Sequence, residues 1–148
     1  MLAFMTIARA LTDENRVRIL MALDRREMCV CQVTAFLDLS PSTTSKHLSI
    51  LKQARLIESR KKGKWVYYRL AESKGAPRVV CDALQWVREG VGSSGTIFAD
   101  ETRIKAILEE EKRLNNGQYV DPDTFHSLEI HTLSYDDEQL EDAPESAS

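Results

Sequence analysis

Leu2, Met5, Ala8 and Leu11 stand three residues apart, a spacing that predicts a first helix with one apolar stripe. Val17, Leu20, Met21 and Leu23 repeat the signal over about 14–23, where Thr12 or Asp13 supplies a cap. A short third helix is predicted over 29–37, with Val30, Val33, Phe36 and Leu37 facing inward. Ser40 before Pro41 reads as an N-cap followed by proline at the first helical position. That helix runs through Leu48, Ile50 and Leu51 to about Ala54. The period then changes. Leu56 to Arg60 and Trp65 to Leu70 are strand-like, and the basic turn Lys61-Lys62-Gly63-Lys64 joins them as a hairpin. Pro77 opens a helix to about Glu89 with Val79, Val80, Ala83, Leu84 and Val87 on one side.

The expected organisation is a domain over 1–90, a Gly/Ser-rich linker over 91–98, an accessory helix over 99–117 and an acidic, disordered tail over 118–148. The fold class is mainly α with one small β-hairpin. The chain of 148 residues suffices for one packed domain and a tail. It shows no apolar run of membrane-spanning length and no secretory leader, so no membrane association and a cytoplasmic setting are expected. Three cysteines, an odd number, do not make a disulfide framework and read as reduced thiols.

Charge changes the picture more than composition does. The formal net charge is -3, yet residues 1–97 hold 16 Lys and Arg against 9 Asp and Glu, and residues 98–148 hold 4 against 14. A basic front joined to an acidic tail suits a polyanion partner, double-stranded DNA above all. The opening of the helix after Ser40, with Ser42, Thr43, Ser45, Lys46 and His47, is poor in helix propensity and rich in donors for a nucleic acid. Lys61, Lys62 and Lys64 add a basic hairpin tip.

Three helices, a turn before the fourth and a basic hairpin describe a winged helix-turn-helix. Residues 3–90 resemble the ArsR/SmtB family of arsenic- and metal-sensing repressors. The resemblance rests on Asp13-Glu14-Asn15-Arg16-Val17-Arg18-Ile19-Leu20, Cys29-Val30-Cys31, Ser42-Thr43-Thr44-Ser45-Lys46-His47-Leu48 and Gly63-Lys64-Trp65-Val66-Tyr67-Tyr68. It implies that the helix from Pro41 lies in the major groove, with Ser42, Thr43, Ser45, Lys46 and His47 as DNA-binding candidates. Lys61, Lys62 and Lys64 would meet phosphates or a minor groove. For His47, packing within the helix pair is the equal alternative. The apolar stripes of the first helix and of the helix after Pro77 imply a homodimer on an inverted repeat.

Cys29 and Cys31 offer soft thiolate ligands and are the candidate metal site. On a regular helix, positions two apart point about 200° apart, so the expectation is that an ion must unwind the start of the third helix to join them. The resemblance implies a repressor that needs no cofactor to hold DNA and is released by its inducer. Thr34 stands where arsenic-responsive relatives carry a further cysteine, and Cys81 is the candidate substitute, with a buried structural thiol as its other reading. No His occurs over 77–89 and no Cys over 1–28, which favours As(III) or Sb(III) over Cd(II), Pb(II) or Zn(II). His126 and His131 read as solvent-exposed. The rivals are an oxidation sensor on the same fold, and a thiol-redox enzyme. No C-x-x-C, phosphate loop or paired carboxylate supports the enzyme. The tail is read as inert, or as a DNA mimic competing for the basic face.

Overall fold

The computed structural model describes residues 1–114; the tail expected over 118–148, with His126 and His131, lies outside the described residues. The elements run α1 (Leu2–Ala10), α2 (Glu14–Leu23), β1 (Met28–Cys29), α3 (Val30–Leu37), α4 (Pro41–Gln53), β2 (Ile57–Lys62), β3 (Trp65–Leu70), α5 (Arg78–Val91) and α6 (Gly95–Leu114). The architecture is a winged helix-turn-helix, mainly helical with a small antiparallel sheet.

Local chemistry explains the boundaries. Asp13 accepts a hydrogen bond from the Arg16 amide and starts α2. Ser40 Oγ accepts from the Thr43 amide at 3.2 Å and starts α4, with Pro41 in its first turn. Between α3 and α4 the chain reverses through Asp38 in the left-handed region, at φ 56°. Arg55, at φ 60°, ends α4 while the Leu56 amide donates back to the Leu51 carbonyl, a Schellman closure.

The sheet has the order β1-β3-β2, so a two-residue strand joins the expected hairpin. Met28 pairs with Tyr68 and Cys29 with Tyr67. Two residues carry no period, so no pattern along the chain marks this strand. Gly63 takes φ 66° at the wing tip, where a side chain would be strained.

Phe36, Ile19, Leu20, Met28, Leu48, Leu51, Leu56 and Tyr68 are fully buried and form the centre of the core. Of the stripe predicted on α1, only Leu11 packs against this core. Ile7 and Ala10 are buried instead, while Leu2 and Met5 are exposed together with Phe4. The predicted linker is also shorter. Ser94 Oγ accepts from the Ile97 amide, a cap that lets α6 begin at Gly95 and leaves 92–94 between the helices.

Helix α6 packs on α2 and α3. Ile104 enters the core, Arg18 grips Asp100 with two bonds of 2.8 Å, and Arg26 grips Glu101. No helix of the described residues is long and apolar enough to cross a membrane.

Candidate metal centre and nucleic-acid interface

Cys29 closes β1 in extended backbone, φ -84° and ψ 165°, and stands as the N-cap of α3; Cys31 lies in the first turn of that helix. The two residues therefore belong to different elements, and their sulfurs lie 2.6 Å apart. This corrects the expectation of a pair splayed on one helix: the two thiols face each other with α3 intact. Cys29 is not helical, so the 200° separation of a regular helix does not apply to the pair.

Both cysteines are buried, and neither is in a disulfide. A tetrahedral ion with sulfur bonds near 2.3 Å holds two thiolates about 3.8 Å apart. Chelation would thus set the sulfur separation by the ion's own bond lengths and angles. In a close-packed interior any change this imposes falls on β1 or on the first turn of α3. The pair sits where both would feel it: β1 is bonded to β3 of the wing, and α3 packs on α4.

Thr34 follows Cys31 by one turn, is buried, and its Oγ1 has no hydrogen-bond partner. Cys81 lies half-buried on α5. Among the described residues no three His, Cys, Asp or Glu side chains gather as a metal site, so Cys81 is not brought to the pair.

The nucleic-acid candidates divide by face. Ser42, Thr43 and Lys46 are exposed on α4, and Lys61, Lys62 and Lys64 are exposed on the wing. Ser45 is turned inward at 9% exposure, and its Oγ is buried without a hydrogen-bond partner. The helical period puts it on the core face between Thr44 and Leu48, away from the exposed row. Ser49 and Gln53 continue the row that Ser42 and Lys46 begin, at helical spacing; sequence reasoning missed them because no special residue type marks them.

His47 is half-buried between helices. Arg16 donates to its Nδ1 at 3.3 Å, and Arg16 also donates through Nε to the Ala10 carbonyl. Burial holds the imidazole below its ordinary pKa, and the Arg16 cation adds to this against the opposing pull of Asp13. The wing is braced at its base, where Arg60 donates to both oxygens of Glu27 and Arg69 to Glu58. The Arg60 bonds keep the Glu27 carboxyl below the usual range.

Residues 13–59, from the cap of α2 to the start of the wing, match the sequence profile of the bacterial regulatory protein arsR family. This segment is similar to an ArsR-family helix-turn-helix domain. It is 42% identical over 65 residues to the arsenic resistance transcriptional regulator ArsR1 of Pseudomonas putida, covering 43% of this chain and 51% of that protein. It is 46% identical over 61 residues to the cadmium resistance transcriptional regulatory protein CadC of Listeria innocua, covering 40% and 51%. The chain spans about half the length of these curated relatives. A solved homodimeric winged helix-turn-helix DNA-binding domain from Mycobacterium bovis, described as a possible ArsR-family regulator, superposes with a TM-score of 0.52 at 25% identity. That match covers 63% of this chain and 82% of that one.

Proposed function

We propose that this protein is an ArsR-family transcriptional repressor that leaves its operator when a thiophilic ion binds Cys29 and Cys31. The observation that carries this reading is the meeting of two buried thiols at the joint between β1 and α3. An ion that resets the geometry of this joint acts on a strand bonded to the wing and on a helix packed on the groove-facing helix. If it binds the altered arrangement better, it shifts the population away from the DNA-competent one.

Ser42, Thr43 and Lys46 meet the major groove, with Lys61, Lys62 and Lys64 on flanking phosphate. His47 serves the packing between α2 and α4. The operator is an inverted repeat bound by a homodimer built from α1 and α5, whose outer faces expose Leu2, Phe4, Val79 and Trp86. A cytoplasmic setting, where thiols stay reduced, belongs to the same reading.

As(III) or Sb(III) is the inducer favoured by the ligand set, since residues 77–89 carry no His and residues 1–28 no Cys. With Thr34 in place of a further cysteine, a water or a small cellular thiol completes the ion's shell. Cd(II), Pb(II) and Zn(II) are the alternatives, and CadC-type relatives keep cadmium in view. A second reading, direct oxidation, is favoured by the placement of two free thiols side by side. There peroxide would take two thiols to one disulfide and leave two waters.

The test is operator release followed by fluorescence anisotropy under reducing conditions, titrating arsenite, antimonite, cadmium, lead and zinc. Release by arsenite or antimonite that vanishes in Cys29→Ser/Cys31→Ser supports the proposal. Release by the other ions alone moves the inducer class. Release by peroxide alone selects the oxidation reading. An unchanged response in the double variant removes the thiol pair as sensor.

A further inference from the structure

Gln32 stands between the thiol pair and α6. Its Oε1 accepts from the Cys29 amide at 3.1 Å, and its Nε2 donates to Glu111 Oε2 at 2.9 Å. One side chain therefore touches the cap position that holds the first thiol and a carboxylate 79 residues further on. Glu111 is only 6% exposed, an uncommon place for a carboxylate unless its bonds are kept.

Cys29 and Cys31 are 3% and 1% exposed, so an ion or a reagent reaches them only after a local opening. Helix α3 is packed by α4, α6, β1 and β3. Strand β1 is hydrogen-bonded into the sheet and its residues are buried. Helix α6 is clamped in its first half by the Arg18–Asp100 and Arg26–Glu101 pairs and by Ile104. It runs back along α3, with Arg103 donating to the Ala35 carbonyl near the end of that helix and Glu111 reaching Gln32 at its beginning. The charged neighbours in the last turns of α6, Glu109 with Lys112 and Glu110 with Arg113, pair along the helix itself. Beyond Ile104, α6 is held by Ile107 and Leu108 packed against the core and by the Gln32–Glu111 bond at the start of α3.

We propose that Gln32 is a positioning residue that latches the last turn of α6 over the thiol pair through Glu111, and so sets how readily an ion reaches Cys29 and Cys31. The proposal rests on the reading of that pair as the inducer site. It also gives the pair a second output. An ion that draws Cys29 out of its cap removes the acceptor-held geometry of Gln32 and releases the end of α6.

The test uses the full chain in a Cys81→Ser background, so that only the pair reports. Two quantities are read: the rate of thiol reaction with a dithionitrobenzoate reagent, and amide exchange over 105–114 compared with 65–70. Gln32→Met and Glu111→Leu are expected to speed thiol reaction about tenfold or more, the scale of losing one charge-assisted bond from the closed state. Exchange over 105–114 rises with it while 65–70 stays protected. Glu111→Gln, which keeps an oxygen acceptor, lies between these variants and the parent. Gln32 caps α3, so Glu111→Leu decides the matter if Gln32→Met does not fold.

Unchanged thiol reactivity in Glu111→Leu overturns the latch. Equal loss of protection over 105–114 and 65–70 also overturns it, because the whole fold has then loosened. If the variants open the thiols as stated but neither arsenite nor cadmium alters operator affinity in any of them, the latch stands and the sensor reading falls.

Discussion

Arg18 and Asp100 hold each other by two hydrogen bonds of 2.8 Å across 82 residues of chain, with side chains 20% and 10% exposed. Arg18 also donates to Asn15 and lies 6.0 Å over the Phe36 ring. The pair ties α6 to α2 beside α3, which Cys29 precedes and whose first turn holds Cys31. Asp100→Ala leaves the guanidinium without its carboxylate in a largely enclosed place. The expected cost is about 2 kcal/mol, below the full penalty of a broken buried pair because Arg18 keeps some water. Urea unfolding reads it, and a double-mutant cycle with Arg18→Ala should return a coupling of about 1 kcal/mol or more. A cost within about 0.3 kcal/mol would mean that α6 docks without the pair.

His47 makes stability depend on pH near neutrality. Its folded pKa lies below 6.5, so the unfolded chain takes up a proton first as pH falls. The stabilising contribution is complete above the unfolded value and is lost as pH falls through the folded one. Glu27 and Glu101, held below their ordinary value by Arg60 and Arg26, lose theirs only in the more acid range, below about 4.5. Chemical denaturation from pH 7.5 to 5 should show a decline that is absent in His47→Gln. An identical slope in both proteins would assign the acid sensitivity elsewhere.

The outer faces of α1 and α5 expose Phe4 at 60% and Trp86 at 69%, on helices that lie against each other. Burial of such side chains contributes about 1.5–3 kcal/mol apiece. Trp86→Glu is expected to convert a dimer to a monomer in sedimentation velocity without lowering the helix content. If the native chain sediments as a monomer at tens of micromolar, these helices have another role.

Lys64 stands exposed at the wing tip beside Gly63. Lys64→Ala is expected to weaken operator binding evenly across sequences. It should also flatten the plot of log affinity against log salt by about one unit for each phosphate that no longer has a lysine on it. A change confined to one operator base would instead make Lys64 a base reader.

Much of this was legible along the chain. The Ser40-Pro41 start, the basic wing turn and the periods of α2 and α4 are local signals, set by capping and by side-chain spacing within one element. The motifs from Asp13 to Tyr68 point to the family without any knowledge of the fold.

Four matters waited for tertiary contacts. Strand β1 exists because β3 supplies its hydrogen bonds, and two residues cannot announce a partner about 40 positions away. The orientation of Cys29 toward Cys31 follows from that pairing, since sheet backbone replaces helical backbone at the cap. The face of α1 and the inward turn of Ser45 were settled by which side met the core. Gln32 and Glu111 carry no signature as separate residues. Periodicity and composition determined the elements and the ligands on offer. Which ligands meet, and what closes over them, was decided by the packing of α3 between β1 and α6, because it joins residues that no local pattern connects.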